Sequence, residues 1–124
     1  MKLAGVCIIT ADVLRLTTFY ELLFSVKCEG DETHMGFPGI GLAIFSESGM
    51  EEMAPGSMLG TGSGKVSLSF DVSDADLEFE RVLALGAEII MMPKTHPWGL
   101  RSFWCKDPDG NILSLRSPAE TFNF

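Results

Sequence analysis

Residues 67–86 read SLSFDVSDADLEFERVLALG, and residues 5–24 read GVCIITADVLRLTTFYELLF. Both stretches open on a short run suited to a strand, meet an aspartate seven residues on, and continue with apolar residues at helical spacing. Over Lys65–Val72, where the later stretch opens, Val66, Leu68, Phe70 and Val72 alternate with Ser67, Ser69 and Asp71. That period of two describes a half-buried strand whose polar side is turned toward something other than the helix layer. Ser73 or Asp74 then caps a helix, because a short side-chain oxygen satisfies the free N–H groups of a first turn. Leu77, Val82 and Leu85 supply its apolar stripe and Gly86 its stop. In the first stretch residues 5–10 form the strand and Asp12 the cap. Val13, Leu16, Phe19, Tyr20, Leu23 and Phe24 follow as the helical stripe.

The two capping aspartates lie 74 − 12 = 62 positions apart, half of the 124 residues. Outward from these stretches the halves stay alike. Residues 27–47 hold two or three strands interrupted by Gly36, Pro38, Gly39 and Gly41, of which Leu42–Ser46 is the clearest. Residues 48–64 contain five Gly and one Pro and read as a connecting loop. In the second half residues 87–91, 100–106 and 112–116 read as strands. Asp107-Pro108-Asp109-Gly110-Asn111 joins the last two, a strong turn signal because Pro sets φ and Gly and Asn tolerate positive φ. Each half is therefore strand, helix, then three strands. The expected class is α+β, a single domain over 1–124 made of two βαβββ modules, about 1–60 and about 65–118.

Composition narrows the function. Net charge is −8, with nine Lys plus Arg against seventeen Asp plus Glu. No basic stripe exists to meet phosphates, so nucleic acid and anionic membranes are disfavoured, and a neutral or cationic ligand is favoured. Three cysteines without a C-x-x-C pair argue against a disulfide framework or a zinc ribbon. The first residues are too few and too soon interrupted by Asp12 and Arg15 for a signal peptide or a span, which points to the cytoplasm. Residues 60–66, GTGSGKV, only imitate a phosphate loop. Leu59 stands at its first Gly position, Val66 replaces the Ser/Thr, and a strand follows where a helix N-terminus is needed.

With Asp12, Phe19-Tyr20-Glu21-Leu22-Leu23, Leu85-Gly86-Ala87 and above all Pro97-Trp98-Gly99…Arg101…Phe103…Asp107-Pro108-Asp109-Gly110-Asn111, the sequence resembles the glyoxalase/bleomycin resistance protein/dioxygenase (vicinal oxygen chelate) superfamily. The resemblance runs along nearly the whole chain and is closest in character to metal-free bleomycin-resistance-like proteins. It implies a curved eight-stranded mixed sheet around a central cup, helices on the convex side, and a homodimer. It also implies where a divalent metal would sit in metal-dependent members. The corresponding positions here are Gly5, Ala43, Ser67 and Ser114, none of them a strong ligand. No cofactor is expected, and a metal only if His34, His96, Asp71 or Glu47 builds a relocated site.

The candidate lining is then organic in character. Trp98 offers a ring to stack on a flat or cationic ligand, or a loop anchor. Arg101 holds a ligand carboxylate or pairs with a nearby acid. Ser67, Ser69, Asp71 and Ser114 are the polar residues expected to face the cup, with Asp71 as the one candidate base. Phe45 and Phe103 add apolar wall or core, Phe37 stands in a Gly-Phe-Pro-Gly loop as a rim, and the methionines are filler or an adaptable wall. The leading expectation is metal-independent binding or sequestration of a small apolar or cationic organic molecule, and antibiotic resistance is what the resemblance adds. One alternative is a glyoxalase-type lyase or dioxygenase-type enzyme with a relocated metal or Asp71 as base. Another is a ligand-free dimerisation or regulatory domain.

Overall fold

The computed structural model describes residue 1, residues 3–62 and residues 66–119. The chain divides into two compact units, Met1–Thr61 and Gly62–Phe124. The first contains β1 (Val6–Thr10), α1 (Val13–Phe24), β2 (Glu29–Gly30), β3 (His34–Phe37), β4 (Leu42–Ser46) and α2 (Glu47–Met53). The second contains β5 (Ser67–Asp71), α3 (Ala75–Ala84), β6 (Glu88–Thr95), β7 (Leu100–Lys106) and β8 (Ile112–Pro118). The class is α+β, and α2 is the only element without a counterpart in the repeat among the described residues.

Each unit carries one four-stranded mixed sheet, in the orders β1-β4-β3-β2 and β5-β8-β7-β6. In both, the first strand runs parallel to the last, which its crossover helix permits, and the remaining pairs are antiparallel. Helices α1 and α3 start on the aspartates read from sequence. Asp12 accepts from the Arg15 N–H and Asp74 from the Leu77 N–H, each at 3.1 Å. Between β7 and β8 the buried Asp107 carboxylate accepts from the backbone N–H groups of Asp109 and Asn111, both at 2.9 Å. Gly110 takes a positive φ of 88° there. No helix among the described residues is long and apolar enough to cross a membrane.

The helices decide which side of each sheet is core. In the first unit α1 buries Val13, Leu16, Thr17, Tyr20 and Leu23 against Phe37, Leu42 and Ile44. In the second unit α3 buries Ala75, Phe79 and Val82 against Phe103, Cys105, Leu113 and Leu115. Phe79 and Phe103 meet edge to face at 5.4 Å, a geometry that adds to plain area burial.

Five expectations are corrected. The stretch read as a loop after β4 holds α2, whose Ser46 cap accepts from the Gly49 N–H at 2.9 Å. Its sequence is short and rich in Ser, Gly and Glu, and carries no apolar stripe to betray it. Leu77 and Leu85 are exposed, Leu77 by 65%. The buried stripe of α3 is 75-79-82, spaced four and three, and Leu77 falls on the opposite side. Strand β6 runs on to Thr95 through Pro93, which an edge strand with register shifts tolerates. Phe37 is buried in β3, edge to face with Phe24 at 5.2 Å, and is no rim residue. Strand β5 starts at Ser67, while residues 63–65 of the Gly-rich stretch lie outside the described residues.

Candidate functional site

The sheet of the second unit has one face covered by α3 and one that α3 leaves uncovered. Register assigns residues to the uncovered face, since paired residues in neighbouring strands point the same way. Three rows result. Ser67, Ile112, Lys106 and Glu88 form the first; Ser69, Ser114, Trp104 and Met91 the second; Asp71, Arg116, Ser102 and Lys94 the third.

The polar alternation of β5 is therefore real, with Ser67, Ser69 and Asp71 exposed and Leu68 and Phe70 half-buried. Ser114 stands between Ser69 and Trp104, and Trp104 is 40% exposed. Arg116 donates from Nε to Asp71 Oδ1 at 2.8 Å. Asp71, its side chain 81% exposed, is one half of a solvated ion pair rather than a carboxylate in an apolar pocket.

Above the third row sits a small stack. The His96 ring lies parallel to the Trp98 ring, with centroids 4.5 Å apart and planes within 7°. His96 Nε2 and Ser102 Oγ form a hydrogen bond of 2.7 Å. Ser102, hydrogen-bonded to the imidazole, is only 4% accessible although it stands on the face that α3 leaves uncovered. Trp98, by contrast, is 69% exposed, so its outer surface is open. The loop that carries it is held by the His96 N–H donating to Leu100 C=O at 2.8 Å and the Gly99 N–H to His96 C=O at 3.1 Å. Gly99 has a φ of 89°, a backbone region that leaves little choice of residue.

Arg101 and Phe103 stand on the other side of the sheet. Arg101 binds Asp76 on α3 through Nε at 2.7 Å and Nη2 at 2.9 Å, and Thr95 Oγ1 through Nη1 at 2.9 Å. This fork holds the Asp76 carboxyl below its ordinary range and raises Arg101. Of the alternatives weighed for Arg101, the structure takes the pairing with an acid. Phe103 is fully buried and takes the core. Sequence reading missed Ser102, Trp104 and Arg116. The parity of β8 was the signal for Arg116, which lies two residues from Ser114, whereas Ser102 and Trp104 are placed only by the β7–β8 register.

Phe45 belongs to the first unit, on the side of its sheet that α1 leaves uncovered, edge to face with His34 at 5.7 Å. The same side has a hollow of about 500 Å³ lined by Gly5, Cys7, Glu29, His34, Gly36 and Ala43. Gly5 and Ala43 are two of the four positions at which the resemblance would place the ligands of metal-dependent members. A Cβ at Gly5 would come within 2.8 Å of the Gly41 carbonyl oxygen, so this backbone does not admit a histidine without moving. Among the described residues, no three His, Cys, Asp or Glu side chains are grouped to hold a metal ion. The residues present do not fit the metal that the resemblance would supply.

Comparison with known proteins agrees with this architecture. The family model described as Glyoxalase/Bleomycin resistance protein/Dioxygenase superfamily matches residues 2–115. A solved glyoxalase/bleomycin resistance protein/dioxygenase from Nocardioides superposes with a TM-score of 0.81 at 20% identity, over 99% of this chain and 87% of that one. A family enzyme from Burkholderia phytofirmans PsJN gives 0.81 at 20%, over 95% and 99%. A glyoxalase-related enzyme from Fulvimarina pelagi gives 0.79 at 19%, over 100% and 99%. At such identities these likenesses concern the fold. An uncharacterised protein of Mycobacterium bovis, Mb0911c, is 33% identical over 75 residues, 60% of this chain and 47% of that protein. The chain thus aligns with about half the length of that curated relative.

Proposed function

The chain belongs to the glyoxalase/bleomycin resistance protein/dioxygenase superfamily, and from that premise we propose that the uncovered face of its second sheet binds a small organic molecule without a metal ion. One observation carries the reading. The face opposite α3 presents hydroxyls at Ser67, Ser69 and Ser114 with the exposed Trp104 indole, and a second exposed indole, Trp98, is stacked on the His96 ring that hydrogen-bonds Ser102 of the same face. Indole rings supply large stacking area and hydroxyls orient a ligand by hydrogen bonds, the usual division of labour in a small-molecule site. Independence from metal is supported by Gly5, Ala43, Ser67 and Ser114 at the positions where ligands would stand, and by the clash that a side chain at Gly5 would meet. The cytoplasmic homodimer expected from the sequence belongs to the same proposal, and sedimentation tests its oligomeric part.

The test pairs metal content of protein purified without chelator with a fluorescence screen of flat organic molecules, since the chain's two tryptophans both lie in the second unit. Saturable quenching by a ligand, lost in Trp98→Ala, is the expected result. A stoichiometric metal whose removal lowers the melting temperature by several degrees would sink the proposal. A base role for Asp71 is disfavoured by its ion pair with Arg116. In the enzyme reading, Asp71→Asn abolishes turnover of a carbonyl substrate. In the reading as a ligand-free dimerisation domain, Trp98→Ala changes association and no ligand is found.

A further inference from the structure

The whole-chain charge of −8 favours a cationic ligand, but the charges on the uncovered face of the second sheet are distributed differently. Among the described residues of the three rows, Lys94, Lys106 and Arg116 share that face with two acids, Asp71 and Glu88. Acids elsewhere act through salt solution with a screening length of about 8 Å at physiological ionic strength. A ligand on the face therefore answers to its immediate neighbours. In the third row Ser102 lies between Arg116 on one side and Lys94 on the other, each its direct cross-strand partner, with neighbouring Cβ atoms about 5 Å apart in such pairs.

Two cations of this row, Arg116 and Lys94, have donors to spare. Arg116 spends Nε on Asp71, and its two Nη groups make no hydrogen bond among the described residues. The Lys94 side chain likewise has no ion pair or hydrogen bond among them and is exposed. The hydroxyl of Ser102, almost fully buried, is held by His96, and His96 is stacked against Trp98. An aromatic platform thus stands one imidazole ring away from a hydroxyl flanked by two cations. A guanidinium with both Nη groups free presents the forked geometry that suits a carboxylate or phosphate.

We propose that this row is an anion subsite, and that the molecule bound on the face is an aromatic acid. Its ring lies on the outer surface of Trp98, and its carboxylate or similar anionic group reaches Arg116 and Lys94. This rests on the reading of the face as an organic-ligand site and specifies the class of ligand. His96 is a positioning residue that orients the Ser102 hydroxyl and braces the Trp98 ring.

Calorimetric titration with three matched probes tests it: 4-phenylbutyrate, the neutral 4-phenylbutyramide and 4-phenylbutylammonium. The carboxylate is expected to bind at least about tenfold tighter than either partner, and to weaken as salt is raised. Arg116→Gln and Lys94→Gln should each collapse the carboxylate-to-amide ratio toward one. The Lys94 side chain is exposed and has no hydrogen bond or ion pair among the described residues, so its variant keeps the test clean if Arg116→Gln melts early. Trp98→Ala should weaken all three probes by the same factor and leave the ratio intact. If the amide or the amine binds as tightly as the acid, the anion subsite is refuted while the organic-ligand reading stands. The same holds if neither charge variant alters the ratio. If none of the three binds, both readings fall.

Discussion

Replacing Phe103 with alanine separates core from binding face more sharply than any other single change. The side chain is fully buried in β7 and meets Phe79 of α3 edge to face at 5.4 Å. Removing a buried phenylalanine costs about 3–5 kcal/mol, the lost transfer energy plus that of the cavity left behind. Within that sum the aromatic pair accounts for about 0.5–1.5 kcal/mol. Domains of this size are stable by only about 5–15 kcal/mol, so the loss is a large fraction of the total. At about 3–5 °C per kcal/mol for a chain of intermediate length, the melting temperature of Phe103→Ala should fall by roughly 10–25 °C. Urea unfolding followed by circular dichroism, with wild type alongside, reads the free energy directly. A Phe79→Ala, Phe103→Ala double-mutant cycle should return a coupling of about 0.5–1.5 kcal/mol. Ligand affinity, measured well below the variant's melting point, should stay within about twofold of wild type. A variant that keeps its stability within about 1 kcal/mol but loses ligand binding would refute the assignment of Phe103 to the helix side of the sheet.

Three other outcomes follow from the same geometry. Asp74→Ala and Asp12→Ala each remove a helix cap and should cost about 1 kcal/mol, seen as a shift in the urea midpoint with unchanged slope. Glu21, Asp31 and Asp76 are held below their ordinary values of 4.5, 3.8 and 3.8 by the Cys28 N–H, the Thr33 N–H and the Arg101 guanidinium respectively. Carboxylates lowered on folding stabilise above the unfolded value and lose that contribution as pH falls through the folded one. Melting temperature should therefore be level from pH 5 upward and drop below about pH 4.5, with a shallower drop in Glu21→Gln and Asp76→Asn; an unchanged slope in both variants would remove these groups from the account. Cys105 is buried, its thiol pushed up to about 11 mainly by burial and then by the Asp107 charge. At pH 8 a disulfide reagent should label the exposed Cys7 first and reach Cys105 only when urea unfolds the chain; prompt labelling of Cys105 in the native protein would contradict its place in the core.

Much of the architecture is local and was legible without coordinates. A capping oxygen needs only the three residues that follow it, so Asp12 and Asp74 announced α1 and α3. The Asp107–Asn111 turn is written by φ preferences of Pro and Gly, and the alternation of β5 by a period of two. The 62-residue repeat turned these pieces into two similar modules. What the sequence left open was sidedness. Along β7, Arg101, Phe103 and Cys105 alternate with Ser102, Trp104 and Lys106, and each set mixes apolar with polar, so periodicity cannot say which faces the core. The packing of Phe79 onto Phe103 decides it, and that contact joins residues 24 positions apart. The same decision sends Arg101 to Asp76 on α3 and brings Arg116, Ser102 and Lys94, from three different strands, into one row. Strand register is a long-range property, fixed by which faces a helix can bury, and the candidate site exists only once that burial has occurred.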